Sequence, residues 1–281
     1  MNVLVVGSGD LGTEFGLRAS RAGHRVHALR RRAHLLPAPL VGLAAELPGP
    51  LPDLPTDIEV VVITIAADGR DEAAYRRAYL EAPARVLDAL EDAGAPLRRV
   101  VFTSSTAVYG VEDGSEVTED TPTAPTRATG EVIVAAEVAV AARRVPAVSL
   151  RLGGVYGPGR ERLLRRLRAG EAVLPEPDVH TNRIHRDDAA EALLHLATLP
   201  GVPAACYLGV DDEPALLGEV LSFLAGELGV PVPPRGHAPR SRGGDKRCSN
   251  ARLRATGWAP TYPSFREGYR AVLAGEGVRH P

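Results

Sequence analysis

Lysine is all but missing from this chain: Lys246 is the only one among 33 Lys+Arg residues. Any chemistry that needs a lysine elsewhere is thereby excluded. Cysteine is limited to Cys206 and Cys248, too few and too far apart for a disulfide framework or a Cys-rich metal site. Both are expected as reduced thiols, with Cys206 in the core because it sits in an apolar run, and no metal is expected. No apolar stretch approaches the length of a membrane span. A net charge of -2 calls for neither nucleic acid nor an anionic membrane surface as partner. The N-terminus reads as a core strand and not as a secretory leader, which points to a cytoplasmic protein. There is no internal repeat and no low-complexity tract. What remains is ample apolar material, 44% of 281 residues, enough for one large α/β domain or a core domain with a smaller lobe.

The first twelve residues organise the rest. Asn2-Val3-Leu4-Val5-Val6 is a short β-branched run, read as a buried strand. Gly7-Ser8-Gly9-Asp10-Leu11-Gly12 follows at once, and Thr13 to Ala22 then has helical spacing, with Leu11, Phe15 and Ala19 on one face and Gly23 as the stop. Strand, Gly-x-Gly-x-x-Gly, helix is the arrangement that binds a dinucleotide. The first glycine permits the tight turn, the second lets a pyrophosphate approach the backbone, and the third lets helix and strand pack closely. The phosphates meet free N–H groups and the positive end of the helix dipole. Gly7, Gly9, Asp10, Leu11 and Gly12 are therefore expected at a cofactor.

The next strand, Arg25 to Leu29, ends at Arg30-Arg31-Arg32. The residue ending this strand faces the adenosine ribose. A carboxylate there favours NAD, whereas arginine meets the 2′-phosphate of NADP. Arg30 and Arg31 predict NADP(H) preferred over NAD(H); a solvated basic corner is the alternative.

Further strands are expected within Leu36–Pro55 (one, short), at Glu59–Ile65, Arg99–Phe102, Ala147–Leu152 and Ala205–Leu208. Helices are expected at Asp71–Asp92, kinked by Pro83, at Gly130–Val145 with Val132, Ala135, Ala136 and Ala139 inward, from about Asp187 as N-cap to Leu199, and at Pro214–Gly229. Leu163, Leu164 and Leu167 mark a short helix, Asn250–Thr256 and Ser264–Ala274 two more. Val111–Arg127 and Val230–Arg242 read as loops. Ala66, in the small-residue turn after the Glu59–Ile65 strand, leaves room for a cofactor. Thr103, Ser104, Ser105 and Thr106 form a hydroxyl cluster where a central strand ends, and ligands of an open α/β sheet bind at such ends; an ordinary Ser/Thr turn is the alternative. Strand and helix alternate up to about Arg160 and then lose that order. The fold expected is α/β, a Rossmann-type doubly wound parallel sheet with a smaller C-terminal substrate lobe. The sheet occupies 1–159, with returns near 180–210, and the lobe mainly 160–281.

Three segments, Gly7 to Gly12, Ser104-Ser105-Thr106-Ala107-Val108-Tyr109-Gly110, and Arg151-Leu152-Gly153-Gly154-Val155-Tyr156-Gly157-Pro158-Gly159, together resemble the extended short-chain dehydrogenase/reductase superfamily in its NAD-dependent epimerase/dehydratase-like branch. Arg183-Ile184-His185-Arg186-Asp187-Asp188-Ala189-Ala190 resembles the family's His-x-x-Asp segment, which returns the chain to the sheet. The resemblance implies an active site of Ser/Thr, Tyr and Lys, in which Ser holds the substrate oxygen, Tyr exchanges a proton with it, and Lys binds the ribose. Ser105 takes the Ser position. Aligning on Glu137 puts Thr129 at the Tyr position and Ile133 at the Lys position. No shift of frame restores the pair, because no Tyr lies between Val111 and Val155. The chain is thus identified as an atypical member.

Candidate catalytic residues are Ser105, Thr106 and Thr129, whose hydroxyls can hold an oxyanion, and Tyr109 as a proton source beside water, Tyr156 or His185. A structural role is the alternative for Tyr109 and Tyr156, and a packed or backbone-bonded histidine that for His185. Tyr156, Arg160, Arg183 and His185 are candidate substrate contacts, the arginines as anchors for an anionic group or, alternatively, partners in surface ion pairs. Three functions stay open: an NADP(H)-dependent oxidoreductase acting on a small carbonyl or hydroxyl compound, a non-catalytic NADP(H)-binding sensor, or an epimerase/dehydratase with altered acid/base residues. The partner expected is a small-molecule substrate, in a monomer or homodimer.

Overall fold

Seven parallel strands form the central layer of the computed structural model, which describes residues 1–237 and 243–281. They are β1 (Asn2–Val6), β2 (Arg25–Arg30), β3 (Val41–Ala44), β4 (Val60–Ile63), β5 (Arg99–Ser105), β6 (Ala147–Leu152) and β7 (Cys206–Gly209). They lie in the order β7-β6-β5-β4-β1-β2-β3. The direction of winding reverses between β1 and β4, so a crevice opens at their carboxyl ends. The helices are α1 (Asp10–Arg21), α2 (72–92), α3 (Ala128–Ala141), α4 (Arg162–Arg168), α5 (Arg186–Thr198), α6 (Leu217–Leu228), α7 (Ala251–Arg254) and α8 (Phe265–Leu273). This is the Rossmann-type α/β architecture that the alternation predicts.

The two-residue period of a strand divides the core. Val3 and Val5 of β1 join Phe15 and Ala19 of α1 and Leu193 and Leu196 of α5 on one face. Leu4 and Val6 join Val86, Leu87 and Leu90 of α2 and Ala136 and Val140 of α3 on the other. A third cluster, with Tyr156, Leu164, Leu167, Val220, Leu224, Phe265 and Tyr269, packs α4, α6 and α8 together.

Several local expectations shift. The helix at 72–92 contains a π segment, Arg76–Glu81, and Pro83 lies in the first turn of the α segment Ala82–Asp92 that follows. Proline has no N–H to give to the preceding turn, and the wider π turn absorbs that mismatch. The N-cap of α5 is His185 rather than Asp187: its Nδ1 accepts from the Asp187 N–H at 3.2 Å. Cys206 is only half-buried, and Cys248 is the buried thiol. The expected loop Val111–Arg127 holds a two-residue strand, Glu116–Val117, paired with Arg247–Cys248. The loop Val230–Arg242 contains Arg235–Gly236, paired with Leu174–Pro175; its residues 238–242 lie outside the described residues.

The largest correction concerns α3. Its inward residues are Val132, Ile133, Ala136, Glu137 and Val140, while Ala135 and Ala139 face solvent. Apolar residues on every side leave this helix without a clear stripe, and a polar contact chooses its rotation. Arg151 on β6 donates from Nε (2.9 Å) and Nη2 (2.6 Å) to the Glu137 carboxylate, and Ser104 Oγ donates to the same group. Arg151 and Glu137 are both buried. Removing one partner of such a pair leaves an uncompensated buried charge, at a cost of about 3–5 kcal/mol. Arg151→Met and Glu137→Ala are therefore each expected to lower the unfolding free energy by about that amount in urea titrations, whereas Ala135→Lys and Ala139→Lys should stay within about 0.5 kcal/mol of the parent.

Candidate functional site

The glycine loop after β1 turns because Gly7 takes φ +85°, where an L side chain is disfavoured. The Gly7 and Ser8 N–H groups both donate to the Leu29 carbonyl, at 3.0 and 3.1 Å, which ties the loop to β2. A Cβ on Gly7 would overlap the Ile65 backbone, and one on Gly12 would overlap Thr64 Oγ1; a Cβ on Gly9 would meet nothing within 4 Å. Gly7 and Gly12 are small for the sake of the fold, and Gly9 is small toward open space. That space is a cleft of about 600 Å³ along the carboxyl ends of the strands. Gly7, Gly9, Asp10, Leu11, Arg30, Arg31, Ala66, Thr103, Ser104, Ser105 and Arg160 all line it.

At the mouth of the loop Asp10 is saturated with donors: Arg160 Nε at 2.7 Å, Arg186 Nη1 at 2.6 Å and the His280 N–H at 3.1 Å. One turn on, Glu14 Oε2 lies 2.7 Å from His280 Nε2. That hydrogen bond, with the charges of Arg18 and Arg186, outweighs burial and holds the Glu14 carboxyl down to about 2. At the β2 edge Arg30 Nη1 donates to the Pro281 carbonyl at 2.8 Å, and Arg31 pairs with Asp68 at 3.1 Å.

The far floor of the cleft is made of Thr103, Ser104, Ser105, Ile133, Leu152, Gly153 and Val155. These seven carry hydroxyls and no ionisable side chain; the phenol of Tyr79, edge-on to Phe102 of β5 and with its pKa raised by burial, lines the cleft beside them. Thr103 Oγ1 is buried without a partner. Ser105 Oγ accepts the Ala107 N–H at 3.2 Å, so its own hydrogen is free to be donated. Thr129 is half-buried in the first turn of α3, Thr106 is buried, and neither lines the cleft.

The remaining candidates sit elsewhere. Tyr109 is 3% exposed, its hydroxyl accepts from Arg151 Nη1 at 2.5 Å, and burial pushes its pKa up to about 12. It lies behind the strand rather than on the cleft wall. Tyr156 stacks on Tyr269 at 4.4 Å, and burial raises its pKa far above the tyrosine range. His185, wedged between the Tyr156 and Tyr262 rings, is held down to about 4 by burial and is neutral at pH 7. Arg183 is buried, with Nη1 on Thr181 Oγ1. Tyr156, His185 and Arg183 therefore form a packed group apart from the cleft, and of the four expected substrate contacts Arg160 alone lines it. Sequence reasoning missed Arg279, which lines the cleft from the last residues of the chain; no motif surrounds it. It also missed Tyr79 and Arg77 of α2, a helix from which no site residue is expected.

An open Gly9 at the start of α1, three arginines at the β2 end and an unpartnered Thr103 hydroxyl fit a nicotinamide dinucleotide. Among the described residues no group of three or more His, Cys, Asp or Glu side chains is placed to hold a metal ion, and no helix is long and apolar enough to cross a membrane.

The model of the NAD-dependent epimerase/dehydratase family matches residues 3–204. A Streptomyces protein named 3-diazoavenalumate denitrifying reductase is 31% identical over 95% of this chain and 99% of its own length. A Methylobacillus flagellatus structure provisionally assigned as an NAD-dependent epimerase/dehydratase superposes with a TM-score of 0.80 at 34% identity, covering 98% of each chain. The structure of MoeE5 in complex with UDP-glucuronic acid and NAD superposes with a TM-score of 0.80 at 26% identity, over 96% of this chain and 97% of that one.

The glycine geometry separates stability from binding. Gly12→Ala should lower the unfolding midpoint, while Gly9→Ala should leave it unchanged and weaken coenzyme binding in fluorescence titrations. Glu14 adds a pH dependence. Its carboxyl is depressed in the folded state, so the stability it contributes is complete above about 4.5 and is lost as the pH falls toward about 2. Thermal unfolding of Glu14→Gln should accordingly show a shallower decline than the parent over that window.

Proposed function

The chain belongs to the NAD-dependent epimerase/dehydratase family, and from that premise we propose that it is an NADP(H)-dependent oxidoreductase of the atypical short-chain dehydrogenase/reductase type, acting on a small carbonyl or hydroxyl substrate. The observation that carries the reading is the cleft lining at the β5 end, where Thr103, Ser105, Ile133, Leu152 and Val155 offer hydroxyls and no carboxylate, imidazole or amine. An epimerase or dehydratase has to take a proton from its substrate and return one within a single bound cycle, which calls for a placed base and acid. Net reduction asks less: the product oxygen can take its proton from water, and the protein needs only to hold and orient the reacting group. The Streptomyces relative is named a reductase, which supports the same direction.

The bound coenzyme would supply the reducing equivalent. The Gly7–Gly12 loop would hold its diphosphate, Thr103 and the Ser104 backbone would line its nicotinamide end, and Arg30 and Arg31, with their neighbour Arg32, would meet a 2′-phosphate. Ser105 would donate to the substrate oxygen, a role supported by its hydroxyl accepting from the Ala107 N–H while its own hydrogen stays free. Thr129, standing in the first turn of α3 where the resemblance puts the family's tyrosine, lies outside the cleft lining and has no direct role in this scheme. Ile133 lines the cleft one turn later and offers no charge. Tyr109, bound to Arg151, has a positioning role behind β5 in this scheme. The division into a coenzyme-binding part, 1–159 with its returns, and a substrate lobe over 160–281 belongs to the same proposal.

An arginine–phosphate hydrogen bond contributes about 1.5–3 kcal/mol, so NADPH should bind about ten-fold or more tighter than NADH, and Arg31→Ala should erase much of the difference. Equal or tighter NADH binding by the parent overturns the coenzyme preference. With a panel of small carbonyl compounds and 3-diazoavenalumate, net NADPH oxidation is expected with at least one. Ser105→Ala should lower kcat about 10²-fold with KM little changed. Bound coenzyme without consumption on any substrate would favour a sensor.

A further inference from the structure

Residues 277–281 are exposed except for half-buried His280, yet hydrogen bonds hold them across the glycine loop. Arg186 Nη2 donates to the Val278 carbonyl at 2.9 Å. The His280 N–H reaches Asp10 Oδ1 at 3.1 Å and its ring reaches Glu14 at 2.7 Å. Arg30 Nη1 closes the run on the Pro281 carbonyl at 2.8 Å. Every one of these partners sits at or beside the coenzyme loop. Between them Arg279 lines the cleft.

Arg279 is held by its stem rather than by its charge. The aliphatic part lies across Gly159, where a Cβ would overlap Arg279 Cδ, and Gly159 has φ +68°. Nη1 donates to the Gly159 carbonyl at 3.1 Å. Among the described residues no carboxylate comes within 4.0 Å of its guanidinium, whereas neighbouring Arg160 is paired with Asp10 and Arg31 with Asp68. A guanidinium that borders a cleft, has a fixed stem and lacks a counter-ion is arranged for an anionic ligand. It stands beside Arg160 at the mouth of the glycine loop, where Arg160 is held on Asp10, and its stem lies on Gly159; Arg30 of β2 meets the same tail two residues on, at the Pro281 carbonyl.

We propose that residues 277–281 are a built part of the coenzyme site and that Arg279 binds the coenzyme's diphosphate from the side facing the Gly7–Gly12 loop. The inference rests on the coenzyme reading above and adds a residue to it that lies 119 positions along the chain from the nearest other cleft-lining residue, Arg160. It also gives the Gly157-Pro158-Gly159 turn a reason: its second glycine is the seat on which the arginine stem lies.

Arg279→Met tests this, because methionine keeps an unbranched stem over Gly159 and removes the charge. The probes are NADPH, NADH, ADP-ribose, which has the diphosphate and no 2′-phosphate, and 2′,5′-ADP, which has the 2′-phosphate and no diphosphate. The expected result is a loss of about ten-fold in affinity for NADPH, NADH and ADP-ribose alike, with 2′,5′-ADP and the unfolding midpoint of the free protein unchanged. Arg279→Lys should recover part of the loss. Unchanged ADP-ribose affinity in Arg279→Met, with the parent binding normally, overturns the proposal. So does a loss confined to 2′,5′-ADP and NADPH, which would put the guanidinium on the other phosphate. A parent that binds none of the four probes overturns the coenzyme reading itself, an outcome distinct from both.

Discussion

The molecule is tied together at Arg186. Its side chain is 1% exposed and is the largest fully buried one in the protein. Burying a guanidinium is costly unless its N–H groups are met by acceptors. Here Asp10 takes one, Asp187 another at 2.6 Å, and the Val278 carbonyl a third. The carboxylates lie in the first turns of α1 and α5, where the helix dipoles favour negative charge. One cation thus joins the coenzyme loop, the last long helix on that face of the sheet and the end of the chain. Such a knot adds little net stability over an apolar core, but it permits a single arrangement of the three segments, and that arrangement shapes the mouth of the cleft.

A second buried pair works at the other end. Arg151 and Glu137 join β6 to α3, and their network reaches Ser104 and Tyr109. The polar atoms of Ser104 and Tyr109 are spent within the protein, whereas those of Thr103 and Ser105 remain for a ligand. The alternation is the strand's own: successive residues of β5 point to opposite sides, so Thr103 and Ser105 share a side and Ser104 faces away. The chemistry available on the floor is therefore hydrogen bonding, with acid and base absent from it.

Much of this is legible in the residue pattern. β1, the glycine loop and α1 are local: short-range sterics and a strong apolar alternation decide them within twenty residues. β6 is read to its ends for the same reason. Helix α3 is misread in rotation because its sequence is apolar all round and the deciding contact, Glu137 to Arg151, crosses to another element. The N-cap of α5 is misread by two residues because a histidine nitrogen, buried between two tyrosine rings, does what an aspartate was expected to do. Tyr156, Arg183 and His185 belong to adjoining motifs and do come together in space, but in the core of the lobe rather than at the cleft.

By itself the sequence determines the class of fold, the glycine cradle and the absence of a lysine to serve it, since these depend on neighbours along the chain or on composition. Only the tertiary structure decides which polar groups are already satisfied and which are left over. Hydrogen-bond capacity is consumed by partners tens to hundreds of residues away, as Tyr109 is by Arg151 and Asp10 is by His280. For the same reason Arg279, in a stretch with no period and no motif, becomes a wall of the cleft once the folded chain has carried it back to where it began.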